Sequence, residues 1–317
     1  MVCHFALRLP ALSGLALVIL LQGCASTRAH WQLRRAVAVL EQRSDPDSLG
    51  AAAVLLRFTQ RTSTAAAARA LLVRAVTAAP ERADLAWLEI QNCRLVAGCD
   101  SGSEELRLRA LDPTNGAAWI NAMTRANAAH DESEKMAVLS GLARSERVDV
   151  YYTTLTAHLT RSLADTHEIS LPDALTDVIG VVAAEATPAY GATSGLCKGD
   201  RLNNAAILED CRRVASALER GDTVLTENLG VAIARRVWPA ESPEWKAAVA
   251  ARRVYEYRLH LWMHSEMESL RDPRWAERYL ALCAQNQREQ DVWLAEFIDE
   301  GRSPDPPPDW VPGMTVP

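Results

Sequence analysis

Apolar residues recur at helical spacing through most of the chain. In the first half, alanine, leucine and valine fall three or four residues apart in helix-length segments, at residues 49–60, 65–78, 85–97, 104–111, 117–129 and 133–144. The second half has the same spacing at residues 173–186, 202–220, 223–237, 243–270, 273–287 and 291–299. Such spacing predicts amphipathic helices. No segment alternates apolar and polar residues for long enough to predict a sheet, so we expect an all-α fold.

Prolines punctuate the first half at a regular interval. Pro46, Pro80 and Pro113 stand 34 and 33 residues apart, and Trp87 and Trp119 follow two of them by seven and six residues. Proline lacks the amide proton that a helix interior needs, but it fits the first helical turn. Each proline is therefore expected to end one helix and open the next. The pattern predicts helical hairpins that repeat about every 34 residues.

This repeat resembles the tetratricopeptide repeat, which has two helices in a unit of similar length. The residues that match it best lie at one junction between units: Leu111-Asp112-Pro113, Asn115, Ala118, Trp119 and Asn121. The resemblance covers residues 45–163, about three units. Met123, Lys135 and Leu142 depart from the pattern, because the family has small residues there. The departures predict looser packing or a shifted register. The alternative is an irregular bundle whose prolines are evenly spaced.

Four boundaries follow from these patterns. The resemblance implies helical hairpin repeats, a TPR-like α-solenoid, over residues 45–187, after a lead-in helix within residues 24–44. A stretch of small residues, Thr187–Gly195, predicts a loop and ends the repeat region. Residues 188–302 are expected to form an irregular C-terminal helical bundle. Residues 303–317 contain six prolines and predict an extended, mobile tail.

The amino terminus has the features of a secretory signal peptide over residues 1–23. Ala11–Leu21 is an apolar run of eleven residues. That run is shorter than the roughly 20 residues that span a bilayer, and it fits a signal-peptide core. Arg8 is the single positive side chain before it, which is a weak basic region.

Leu21-Gln22-Gly23-Cys24 resembles the lipobox of bacterial lipoproteins, although Gln22 is larger than usual. The resemblance implies cleavage before Cys24 and attachment of acyl chains to that cysteine. Ala25 stands where the family's inner-membrane retention signal has aspartate, which implies an outer-membrane anchor and a protein that faces the periplasm. The alternative is a short buried helix in which Cys24 is an ordinary core thiol.

The remaining cysteines suit an oxidising compartment. Cys93 and Cys99 flank a predicted turn, and Cys197 and Cys211 would close a loop of about 15 residues, so both pairs are candidate disulfides. The alternative is that they are buried free thiols. No CxxC motif or histidine at ligand spacing favours zinc. Cys283 is left over and is expected to be a small buried residue.

Composition narrows the function classes. Hydrophobic residues make up 49% and charged residues 23% of the chain, as in globular proteins. The net charge is −6 and no basic stripe occurs, so we expect no nucleic-acid partner.

Chemistry-bearing motifs are weak. Glu256, His260, His264 and Glu268 are each four residues apart, so His260 and His264 could share a metal ion. The zincin motif needs glutamate directly after the first histidine, where Leu261 stands. A polar face of ion pairs is the expected alternative. Residues 191–195 lack the GxSxG order of a nucleophile loop. We assign no catalytic residue and no cofactor.

These patterns lead to one main hypothesis and two alternatives. The main hypothesis is a lipid-anchored, non-catalytic scaffold that offers a concave surface of its repeat region to an envelope protein or peptide. The first alternative is a cell-wall-directed enzyme that uses carboxylates or the His260/His264 face. The second is a purely structural lipoprotein.

Overall fold

The structure is a computed structural model that describes residues 30–59, 64–185, 187–269 and 271–311, except the side chains of residues 185 and 264–269. The signal peptide and the Leu21–Cys24 motif lie outside the described residues.

The described chain is α-helical, and the all-α prediction is confirmed. The helices are α1 (residues 30–40), α2 (Pro46–Thr59), α3 (Ala65–Ala78), α4 (Ala83–Cys93), α5 (Gly102–Leu111), α6 (Ala117–Ala128), α7 (Glu132–Ala143), α8 (Tyr152–Ala164), α9 (Leu171–Glu185), α10 (Gly191–Leu196), α11 (Ala205–Glu219), α12 (Val224–Val237), α13 (Pro243–Ser269), α14 (Pro273–Gln285) and α15 (Glu289–Asp299). A 3-10 helix covers Gly199–Asn203. The described residues contain no strand, only an isolated bridge between Asn115 and Arg147. Within the same ranges, no helix is long and apolar enough to cross a membrane.

The evenly spaced prolines mark helix boundaries, as predicted. Pro46 is the first residue of α2, Pro80 lies between α3 and α4, and Pro113 lies between α5 and α6. From α2 to α7, each helix packs against the next one in the sequence, which we call the stack. Trp87 on α4 is fully buried within the apolar core that α2, α3 and α4 share.

Where residues depart from the repeat pattern, the helices are well packed, but their closest contact is shifted along the chain. Met123 and Leu142 are fully buried, and Lys135 is buried with its Nζ 2.8 Å from Glu132 Oε1. The close helix approach uses Gly141, one residue before Leu142. A Cβ added at Gly141 would lie 2.8 Å from the ring of Trp119, so the missing side chain lets that ring lie against α7.

The stack does not continue into α8, although the repeat-like pattern runs to residue 163. Tyr151, directly before α8, has a left-handed backbone with φ 61°. Helix α8 packs mainly on α2, α9 and α14, whereas α7 is followed in space by α11, α12 and α13. One hydrophobic cluster joins α6 and α7 with α11 and α12, so the core crosses the boundary drawn at residue 188.

Two sequence expectations need correction. Residues 191–196 form α10 rather than a loop, because Thr193 and Leu196 are buried and the Tyr190 hydroxyl lies 2.8 Å from Thr226 Oγ1 on α12. The first part of the proline-rich tail is not a mobile extension. Residues 303–311 lie on α13, and Trp310 is buried there.

Three loops that are distant in sequence meet at what we call the junction: residues 148–152, 220–224 and 286–290. The Asp222 carboxylate accepts hydrogen bonds from the backbone amides of Val150 and Tyr152, both at 2.9 Å. The Glu289 amide donates to the Asp222 carbonyl at 2.8 Å, and the Glu289 carboxylate accepts from the Val224 amide at 2.9 Å. The junction thereby ties α8, α12 and α15 together.

Candidate functional site

Helices α11, α12 and α13 enclose a groove of about 350 Å³. Two of the helices that form it, α11 and α12, approach each other closely at Gly230. A Cβ on Gly230 would lie 2.6 Å from the Glu219 amide nitrogen and 2.7 Å from the Ala215 carbonyl oxygen. Because those atoms belong to the backbone, a larger residue would push the two helices apart.

The floor of the groove consists of alanines contributed by all three helices: Ala215, Ala234, Ala247, Ala248 and Ala251. The three alanines of α13 recur at three- and four-residue spacing, which puts them on one helix face. Small side chains leave apolar space that larger residues would fill. The floor can therefore receive an apolar side chain from another molecule.

Trp238 and Arg212 also line the groove, and the Arg212 guanidinium lies 4.2 Å from the centre of the Trp238 ring. Tryptophan and arginine are enriched at protein interfaces. The backbone fixes this pair, because Arg212 also donates to the Val237 carbonyl.

Two acidic residues line the groove, Glu219 and Glu244. Neither carboxylate forms a hydrogen bond or ion pair with another residue in the described part of the chain. Glu219 is half-buried, and its burial, followed by the nearby Glu227 carboxylate, raises its pKa. A cation brought beside Glu219 would relieve this unfavourable environment.

Both predicted cysteine pairs form disulfides, Cys93–Cys99 and Cys197–Cys211. The second ties the end of α10 to α11, the helix that forms one wall of the groove. Cys283 is a buried free thiol on α14, and burial raises its pKa to about 12. It is therefore a protonated core side chain at neutral pH.

A second, polar cleft of about 350 Å³ lies between the start of α2 and α8. His158 Nδ1 lies 2.8 Å from the Asp47 carboxylate, which also faces Arg82 at 3.0 Å. The hydrogen bond from His158, together with the Arg82 charge, lowers the pKa of Asp47. Ser48 and Ser162 line the same cleft. Within the described ranges, Asp47 is the one hydrogen-bond partner of the His158 ring, so the histidine is oriented but not paired with a nucleophile.

The predicted metal candidates do not form a described site. His260 lies on α13, while the side chain of His264 lies outside the described residues. No group of three histidine, cysteine, aspartate or glutamate side chains suited to a metal ion occurs in the part of the chain that was described. In the short helix α10, Ser194 Oγ accepts a hydrogen bond from Arg236.

Comparison of the chain with protein-family models, with curated proteins and with solved structures gave no match. Function must therefore be inferred from the geometry.

The groove lies outside the region in which the sequence predicted a binding surface. That prediction placed a concave surface within residues 45–187, whereas the apolar groove is built from residues 212–251. The alanines that form its floor are also good helix formers, so their sequence signal is the same as that of any helix. The spacing of Ala247, Ala248 and Ala251 was the one available hint.

Proposed function

We propose that this chain is a lipid-anchored envelope protein that acts as a non-catalytic scaffold and binds a protein partner in the groove between α11, α12 and α13. The observation that carries the proposal is the groove itself, in which an apolar alanine floor adjoins two unpaired carboxylates. Stacked helices commonly bind partners through concave surfaces of this kind.

The chemistry of the groove defines the partner segment. The floor favours an apolar side chain, and Glu219 and Glu244 favour a lysine or arginine next to it. We therefore expect a segment of an envelope protein in which an apolar anchor is flanked by a basic residue. The stacked Trp238 and Arg212 offer that segment an aromatic and a cationic contact.

The proposed cellular location is supported by features of the amino-acid sequence. The Leu21–Cys24 motif supports a lipid on Cys24, and Ala25 supports sorting to the outer membrane with the chain in the periplasm. Two disulfides suit that oxidising compartment. Several acyl chains on one cysteine would hold the protein stably, because each buried methylene contributes about 0.8 kcal/mol.

The groove is tested by photo-crosslinking of the full-length protein in intact cells. A photoreactive residue replaces Ala247 in the groove, and the matched control replaces Ala250, which is exposed on the same helix but does not line the groove. We expect one dominant cross-linked envelope protein from position 247 and none from 250. Its yield should fall at least several-fold in the Glu219→Gln/Glu244→Gln double variant.

Two results would contradict the groove as the binding site. Equal cross-linking from both positions would mean a non-specific neighbour. Absence of any cross-link would favour the purely structural lipoprotein.

The anchor is tested separately by labelling cells with a fatty-acid analogue. The wild-type protein should carry the label and fractionate with the outer membrane, while Cys24→Ser should carry none. Label that persists in Cys24→Ser would overturn the anchor without affecting the groove.

A further inference from the structure

The proline-rich segment after α15 is bound along α13 as a strap, which we define as residues 303–311. Arg302 donates to the Leu261 carbonyl at 3.2 Å, and Arg258 donates to the Pro304 carbonyl at 3.2 Å. Arg253 donates to the Trp310 carbonyl at 3.1 Å. Later residues of this segment therefore contact earlier residues of α13, so the strap runs antiparallel to the helix.

Arginines recognise the strap through its main chain. Arg253 donates to the carbonyls of Pro307 and Pro308 as well as that of Trp310. Proline has no amide proton to donate, and an extended proline-rich segment forms no internal hydrogen bonds, so its carbonyls remain available as acceptors. Proteins commonly bind such segments in grooves lined by aromatic side chains.

Trp310 anchors the strap. It is 6% exposed, its ring lies 5.3 Å from that of Tyr257 at 73°, and the Arg253 guanidinium lies 5.9 Å from its centre. Phe297 and Trp293 complete this aromatic cluster. The Trp310 Nε1 is buried without a hydrogen-bond partner among the residues described, so the pocket holds the ring by packing.

A short connection joins the strap to α15. Helix α15 ends at Asp299, and Gly301 has a left-handed backbone with φ 70° before the strap begins. An element that is joined by a short connection and makes a self-contained set of contacts can exchange between identical chains. The strap makes such a set, because its arginine contacts and its tryptophan pocket all lie on α13 or α15.

We propose that this face of α13, formed by Arg253, Tyr257, Arg258 and Leu261 and here called the strap seat, is a binding site for a proline-rich peptide with a tryptophan anchor. Its ligand is the chain's own strap in cis and the strap of a second copy in trans. The spacing of the arginines matches the carbonyls of this sequence, which an identical chain also carries. None of the strap-seat residues lines the groove, so this site is distinct from the proposed groove.

The cis strap has a kinetic and thermodynamic advantage over a free peptide. A tethered segment is present at an effective concentration on the order of millimolar. The wild-type protein should therefore mask its seat, and a weakened cis strap should expose it.

The test measures binding of a fluorescent synthetic peptide of residues 303–317 to full-length chains by anisotropy. Trp310→Ala in the protein weakens the cis strap, and we expect it to bind the wild-type peptide at least tenfold more tightly than the wild-type protein does. Adding Arg253→Gln to that variant should lower the affinity at least tenfold. The matched control is Arg252→Gln, because Arg252 contacts Glu256 and Asn228 rather than the strap. A peptide that carries Trp310→Ala should not bind.

Equal affinity for the wild-type and Trp310→Ala proteins would overturn the proposal, as would equal effects of the two arginine variants. A second measurement covers the case in which Trp310→Ala fails to fold. A protease site is introduced after Gly301 in a chain that is otherwise wild-type, and the folded protein is cut there. We expect the labelled peptide to replace the released strap on dilution. Failure of the labelled peptide to enter the cut protein would contradict exchange between copies.

Discussion

The stack and the junction are held together by different kinds of contact. In the stack, from α2 to α7, each helix packs on its neighbour in sequence, and apolar side chains such as Trp87 form the core that α2, α3 and α4 share. In the junction, three loops from distant parts of the chain meet, and their contacts are hydrogen bonds from backbone amides to the carboxylates of Asp222 and Glu289.

Buried apolar contacts and buried carboxylates differ in what disturbs them. Apolar packing tolerates shifts in register, as the use of Gly141 instead of Leu142 illustrates. A buried carboxylate is stable only while its hydrogen-bond partners stay in place. Burial, with the charge of Asp149, raises the pKa of Asp222, and burial raises the pKa of Glu289 to about 7. The contribution of the junction to stability should therefore change with pH, whereas that of an uncharged packed side chain such as Trp87 should not.

The largest effect is expected from Trp87→Ala in the stack. Trp87 is fully buried, and removal of a large aromatic side chain leaves a cavity. Such changes cost about 3–5 kcal/mol. The free energy of unfolding, measured by urea denaturation, should fall by this amount at pH 5 and pH 8 alike. A loss that differs strongly between the two pH values would break the distinction between the two regions.

A slightly smaller loss of unfolding free energy is expected from Asp222→Ala at the junction. This substitution leaves two buried amides, those of Val150 and Tyr152, without an acceptor. Each unpaired buried amide costs about 1–3 kcal/mol, and removal of a buried charge offsets part of this, so we expect a net loss of about 2–4 kcal/mol. Hydrogen exchange should accelerate at residues 150 and 152 before it does in the stack. Asp222→Asn keeps one acceptor oxygen and should lose less stability.

The smallest expected effect is a pH dependence that Glu289→Gln removes. Because the pKa of Glu289 rises from 4.5 to about 7 on folding, the folded protein binds the proton more tightly than the unfolded chain. Its contribution is complete below pH 4.5 and is lost as the pH rises through 7. One pKa unit corresponds to about 1.4 kcal/mol, so the wild-type protein should lose on the order of 2–3 kcal/mol between pH 5 and 8.

Glutamine can still accept the hydrogen bond from the Val224 amide but does not titrate in this range, so the variant should have a flatter profile. The pKa of Asp222 is raised as well, so the stability of the variant should still change somewhat with pH. Thermal unfolding across pH 5–8 measures both profiles. A wild-type stability that rises over this range would contradict the assignment of Glu289.

The candidate sites were less predictable than the fold. The disulfide pairs followed from short separations in sequence, which almost any local structure can bridge. The His158–Asp47 pair joins residues 111 positions apart, and the bond from Arg253 to the Trp310 carbonyl joins residues 57 positions apart. The groove is built from three consecutive helices, and the spacing of its alanines is also that of an ordinary helix. Pro304 to Trp310 suggested a mobile tail because proline disfavours helix and sheet, but the sequence carries no sign that Arg253 and Arg258 would bind its carbonyls.

By itself the sequence determined most of the helices and, for several of them, where they end. Apolar spacing and proline act within one or two turns, so residues 65–78 could be assigned as a helix that the structure places at Ala65–Ala78. Tertiary packing alone decided that α8 leaves the stack for α2 and α14, and that α11 takes its place beside α7. That choice depends on the left-handed turn at Tyr151 and on Asp222, whose buried carboxylate is satisfied only when the loops of the junction come together.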